Sequence, residues 1–179
     1  INGLEPQFEK LGDDELKAIP TDANLGLGCG NPTALAGLKE GETVLDLGSG
    51  AGFMKECVPG LITTDVLTLE GVDRVLPADG HLPFADGSLR AIVMTDVLHH
   101  IGTPVQFFAE AARTVRPGGK LLMIEPWATA WSTFIYRRFH SEPFRPDADQ
   151  WEFPARGPLS GANGALPWIL FVRDRARFE

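Results

Sequence analysis

Val44-Leu45-Asp46-Leu47-Gly48-Ser49-Gly50-Ala51-Gly52 is a short apolar run broken by an acid and followed by three glycines spaced two apart. Apolar β-formers that stop at closely spaced glycines read as a buried parallel strand turning sharply, with no Cβ over the turn. A ligand can touch main chain at such a bend. Strand-end acids and glycines also serve as ordinary caps and turns, so the motif gains its meaning from what surrounds it.

Four more strand-like runs follow: Leu61–Asp65, Val72–Asp79, Leu89–Ile101 and Gly118–Pro126, the last introduced by a Pro-Gly-Gly turn. Between the last two, Val105, Phe108, Ala109, Ala112 and Val115 recur at helical spacing and predict a helix over 105–115. Strands alternating with helices predict an α/β fold with a parallel sheet and right-handed crossovers. The glycine spacing also narrows the ligand. A dinucleotide fingerprint begun at Gly48 and Gly50 would need glycine at position 53, where this chain has Phe53.

On these residues the chain resembles the class I S-adenosylmethionine-dependent methyltransferases. Their first motif runs a strand ending in an acid into a G-x-G-x-G loop. The blocks Leu82-Pro83-Phe84-Ala85-Asp86-Gly87-Ser88, Asp96-Val97-Leu98-His99-His100 and Arg116-Pro117-Gly118-Gly119 look like the later motifs in their usual order. The resemblance implies a Rossmann-like, doubly wound parallel sheet of about five strands, with S-adenosylmethionine as cofactor. The antiparallel hairpin that normally ends the family's sheet has no counterpart in the sequence.

The cofactor contacts so implied begin with Asp46, Gly48, Ser49, Gly50 and Gly52. Asp65 and Val66 come next, and Asp65 follows Asp46 at close to the roughly 20-residue spacing of a ribose-hydroxyl acceptor. A carboxylate offers acceptors only, which suits a pair of hydroxyls. Asp79 and Gly80 would form a turn with a carboxylate over an exocyclic amine such as that of adenine, and Thr95 and Asp96 close the set.

The two ends resemble different branches. Asn24–Pro32 followed by Leu38–Val44 looks like the segment before the first motif in arsenite methyltransferases and their ubiquinone-biosynthesis-like relatives. Past Phe53, the stretches Glu125–Trp127, Tyr136–Arg138 and Gly157–Trp168 resemble bacterial type 11 methyltransferases, which suggests a mosaic with a seam near residue 50. Trivalent arsenic is held by converging thiolates, and the chain has only Cys29 and Cys57. Arsenite is accordingly a minor alternative.

With 179 residues and 44% hydrophobic content, the chain reads as a single domain with a three-layer core. Residues 1–41 are expected to form a helical arm with helices at Asp13–Ile19 and Asn31–Leu38, residues 42–126 the cofactor-binding core, and 127–179 a helix, a Pro/Gly-rich lid or substrate loop over 141–167, and a C-terminal helix. Sixteen basic against 24 acidic residues give a net charge of -8, which disfavours nucleic acid as partner. Two distant cysteines, no signal peptide and no membrane-length apolar run point to the cytoplasm and away from a membrane. An open edge on the fifth strand predicts a possible homodimer.

Direct in-line methyl transfer needs alignment, exclusion of water and, for a protic acceptor, removal of a proton. His100, then His99, are the candidates for that proton, with a core or capping histidine as the plainer alternative. Glu125 and Trp127 are expected to line the acceptor pocket. No metal is expected, because His81, His99, His100 and His140 lack ligand spacing and adjacent residues on a strand point to opposite faces. The function expected is methyl transfer to a small-molecule acceptor. A catalytically idle S-adenosylmethionine-binding protein and an NAD-dependent enzyme of similar fold remain as alternatives.

Overall fold

The computed structural model describes residues 41–48, 53–56, 58, 60–154 and 161–179. The helical arm over 1–41, both cysteines and the loop positions Ser49, Gly50 and Gly52 lie outside those residues, apart from Gly41. Five strands make one parallel sheet in the order β3-β2-β1-β4-β5. They are β1 (Val44–Leu47), β2 (Leu61–Asp65), β3 (Arg74–Val75), β4 (Leu89–Thr95) and β5 (Val115–Ile124).

The central strands are apolar because both faces are covered. All four residues of β1 are buried, and so are Ala91, Ile92, Val93 and Met94 of β4. Leu45 pairs in register with Ile62 on one side and Ile92 on the other. The sheet separates a larger cluster, including Leu45, Ile92, Leu98 and Phe107, from a smaller one of Val44, Met54, Val58, Leu61, Ala91 and Val93.

The polar residues of β2 are buried with partners. Thr64 Oγ1 donates to the Asp46 carbonyl at 2.8 Å, and Thr63 Oγ1 reaches the Gly71 carbonyl at 2.7 Å. Asp73 accepts from the Thr63 N–H at 3.0 Å and from Lys55 Nζ at 2.6 Å. That engagement shortens the third strand expected over 72–79 to Arg74–Val75, both exposed. Asp73 turns inward to β2, and Leu76 alone of its neighbours is buried.

Helix α1 (Pro104–Thr114) has proline in its first turn and buries Phe107, Ala111 and Thr114. Its Arg113 donates to the carbonyls of Leu82 and Phe84, each at 2.9 Å, and to Glu110 and Asp86. Glu110 in turn accepts from the Leu82 N–H at 3.0 Å, so the irregular 81–86 segment is held in place without secondary structure of its own. Helix α2 (Ala130–Phe139) starts on a reciprocal Thr129–Ser132 cap and buries none of its residues.

The fourth strand stops earlier than expected. β4 ends at Thr95, Asp96 takes a left-handed φ of 55°, and Leu98–His100 form a 3-10 turn. The expected lid over 141–167 is irregular but anchored in the residues described. Phe144 and Trp151 are buried, Phe153 N–H donates to the Gly102 carbonyl at 3.2 Å, and Asn163 N–H donates to the His99 carbonyl at 2.9 Å. The C-terminal helix is divided into Leu166–Trp168, a π-helical Ile169–Arg173 and Arg175–Phe178, with Leu166, Ile169 and Leu170 fully buried. Among the described residues no helix is long and apolar enough to cross a membrane.

Ile92, fully buried between β1 and β5, is the position whose truncation should be felt most directly. Ile92→Ala is expected to lower unfolding free energy by about 2 to 5 kcal/mol in urea denaturation. A loss below about 1 kcal/mol would contradict a central, close-packed β4.

Candidate active site

The carboxyl ends of β1, β2 and β4 open on a cavity of about 220 Å³. Gly48, Asp65, Val66, Asp96, Val97 and His100 border it from the strand ends. Leu76, Ala78, Gly80, Leu82, Ile101 and Phe107 give it an apolar wall from the segments beside them. Ligands in open parallel sheets bind at this edge.

Gly48 is required as glycine. Its φ is +68°, and a Cβ there would stand 2.5 Å from Val97 Cγ2. The bend therefore brings main chain against the turn after β4. Gly80, at φ +83°, is similarly close to α1, where a Cβ would be 3.3 Å from the Phe107 nitrogen.

The expected acids separate into different roles. Asp65 borders the cavity, with Oδ1 accepting from the Leu67 N–H at 3.0 Å. Asp46 lies behind the wall, 4% exposed, and its Oδ2 has no hydrogen-bond partner among the described residues. Burial, reinforced by the nearby Asp65 charge, pushes its pKa up to about 6. Asp79 is exposed, and its Oδ1 accepts from the His81 N–H at 2.9 Å, while the adjoining Gly80 and His81 border the cavity in its place. Thr95 ends β4 and does not line the cavity, whereas Asp96 does. Ser49, Gly50 and Gly52 lie outside the described residues.

The histidines also part company. His100 borders the cavity, its Nδ1 buried without a partner among the described residues. His99 is 2% exposed and directed away, with Nδ1 2.7 Å from Glu125 Oε2. Burial disfavours its charged form, but the hydrogen bond and charge of Glu125, helped by Glu142 and Asp96, more than offset this and raise its pKa.

Glu125 corrects a second expectation. It does not line the cavity: Oε1 accepts from the N–H groups of Val97 at 2.9 Å and Leu98 at 2.6 Å, and Oε2 from His99. It is a positioning residue for the turn. Trp127 is 45% exposed and likewise absent from the wall.

The reason given for expecting no metal also fails in one respect. His99 and His100 sit on a 3-10 turn, not a strand, and their Nε2 atoms stand 3.5 Å from Glu142 Oε2 and 3.6 Å from Glu142 Oε1. The lining residues missed from sequence, Leu76, Ala78, Leu82, Ile101 and Phe107, are apolar, and of them only Leu82 stands in a motif block. Proline and glycine in the 77–83 stretch were the only signal that the chain there is irregular wall instead of strand.

A family model described as "Methyltransferase domain" matches residues 25–123. The chain is 34% identical to an arsenite methyltransferase of Halobacterium salinarum over 96% of its own length and 46% of that protein. That likeness runs well past Phe53, so it does not stop at the expected seam. A demethylmenaquinone methyltransferase of Beutenbergia cavernae is 32% identical over 55% of this chain and 46% of its own. The chain thus spans about half the length of these curated relatives. Among solved structures, a SAM-dependent methyltransferase of Methanosarcina mazei shares the fold with a TM-score of 0.51 at 21% identity, over 80% of this chain and 83% of that one.

The raised pKa of Asp46 makes a signed prediction. The folded state holds its proton up to about pH 6 and the unfolded chain only to about 3.8, so this group weakens the fold as pH rises between those values. Asp46→Asn removes the penalty. The variant should match the parent at pH 4 and exceed it by about 2 to 3 kcal/mol at pH 7.5, read by urea denaturation without ligand. Equal stability at both pH values would show that the buried carboxylate is not strained.

Proposed function

This chain belongs to the S-adenosylmethionine-dependent methyltransferase family, and we propose that it transfers a methyl group from S-adenosylmethionine to a small-molecule acceptor. The observation that carries this reading is the cavity at the strand ends, walled by bare main chain at Gly48 and bordered by the carboxylate of Asp65. S-Adenosylmethionine, when bound, supplies a methyl already activated on a sulfonium.

The residues present fit such a ligand. Gly48 borders the cavity as main chain, packed so closely on Val97 that no Cβ fits, and behind it Asp46 keeps a buried oxygen without a partner among the described residues. Asp65 would accept from the ribose hydroxyls. Leu76, Leu82 and Phe107 offer an apolar surface suited to a purine ring. For a protic acceptor, His100, which borders the cavity beside Asp96 and Val97, is the imidazole we assign to receive the proton. His99 is sequestered by Glu125 and would act only by holding the turn.

The 34% identity to an arsenite methyltransferase favours arsenite as a second acceptor class to test. Its chemistry would draw on thiolates.

In a calorimetric titration with S-adenosylhomocysteine, Asp65→Ala should weaken binding tenfold or more, the loss of a charge-assisted hydrogen bond worth about 1.5 to 3 kcal/mol. Gly48→Ala should weaken it further, because the added methyl forces either the bend or Val97 to move. Unchanged affinity in Asp65→Ala would remove this carboxylate from the pocket. Transfer of labelled methyl to any member of a panel of phenols, sugar-like hydroxyls and arsenite supports the enzyme. Tight binding with no transfer supports the idle cofactor-binding protein instead.

A further inference from the structure

Two imidazoles and a carboxylate meet beside the cavity. His99 Nε2 stands 3.5 Å from Glu142 Oε2, and His100 Nε2 stands 3.6 Å from Glu142 Oε1. One donor atom from each of the three residues lies within 4.8 Å of the others. These separations are long for hydrogen bonds. The two histidine–glutamate separations are near the roughly 3.3 Å edge of a tetrahedron whose ligands sit 2.0–2.1 Å from a zinc ion, and the widest spacing, up to 4.8 Å, would have to close as the side chains draw in on the ion.

The tautomer of His99 sharpens the point. Glu125 can only accept, so the Nδ1 it holds at 2.7 Å carries the proton. In the neutral ring, Nε2 then presents its lone pair on the side of Glu142, and the His100 ring lies beside it with centroids 4.2 Å apart. A divalent cation can accept lone pairs from both imidazoles and the carboxylate together. A carboxylate on the far nitrogen of a ligating histidine is also the usual way a metal site fixes its imidazole.

We propose that His99, His100 and Glu142 form a binding site for a divalent transition metal of the zinc class, with Glu125 orienting His99. Imidazole and carboxylate donors suit such a cation better than calcium or magnesium, which take oxygen ligands. Three protein ligands leave a coordination position for water or another small ligand. His100 also borders the cavity, so the metal would sit at its edge, and an Nε2 held by the metal would not be the nitrogen that takes an acceptor's proton. The site stands on these side chains alone and holds whether or not the chain transfers methyl groups.

The test uses the full chain, stripped with a chelator, and Co²⁺ alone as a spectroscopic probe. One equivalent should produce the ligand-field absorption of four-coordinate Co²⁺, and one equivalent of Zn²⁺ should abolish it. Glu142→Gln and His100→Asn keep the Glu125 hydrogen bonds, and each should weaken Zn²⁺ binding at least tenfold by calorimetry, with circular dichroism reporting an intact fold. No saturable Co²⁺ signal, or parental Zn²⁺ affinity in both variants, overturns the proposal. S-Adenosylhomocysteine titration of Glu142→Gln should match the parent, which separates loss of the metal site from loss of the cofactor pocket.

Discussion

One buried carboxylate reaches from the end of β5 to the turn after β4, and the geometry of the sheet's carboxyl edge depends on it. Glu125 accepts two main-chain N–H groups, from Val97 and Leu98, and holds the His99 ring besides. A 3-10 turn cannot satisfy its own first donors, and hydrogen bonds to a charged acceptor are about twice as strong as neutral ones. The latch fixes where Val97 stands, and Val97 is the side chain that packs against the bare bend at Gly48. It also sends His100 toward the cavity and His99 away from it. Cavity wall and histidine pair share this one origin.

The interaction explains which parts of the molecule could be read from sequence. β1, β2, β4 and α1 were legible because burial on two faces, or on one helical stripe, leaves a mark in composition at every turn. The Gly48 bend was legible because only glycine fits it. β3 was overread: Val72, Val75 and Leu76 supply the β-formers of a strand, but Asp73 is committed to Thr63 and the run pairs for two residues only. The Glu125 latch had no pattern to reveal it, since a glutamate after a strand has the same spelling whether it lines a pocket or caps a turn. Glu142 was invisible for a similar reason, because it meets the histidines only through the course of the chain after α2.

Stability and binding pull against each other at Asp46. The residue sits on the central strand between Thr63 and Val93, with one oxygen unpartnered among the described residues. A neutral side chain of the same shape would relieve that cost. A core position that breaks local rules in this way is where function is expected to outweigh folding. The contrast with β2 supports this. There the polar groups are also buried, yet Thr63 and Thr64 each have a main-chain partner.

The sign of the charge at this edge carries the argument to the ligand. Burial, with the nearby Asp65 charge added to it, raises the pKa of Asp46, and Asp96 joins Asp65 at the cavity. The chain as a whole carries a net charge of -8. An anionic ligand such as a pyrophosphate would meet unfavourable charge at close range, where the local dielectric screens it poorly. A ligand bearing a sulfonium and an ammonium meets the reverse, and its arrival would lower the cost of keeping Asp46 ionised. Cofactor binding and Asp46 deprotonation are therefore linked, so the proposed methyl donor should bind more tightly as pH rises through 6 than its uncharged sulfur analogue does. The difference in pH dependence between S-adenosylmethionine and S-adenosylhomocysteine isolates the sulfonium, because the two ligands share every other group. Parallel pH profiles for the two would mean that the buried carboxylate answers to some other part of the ligand.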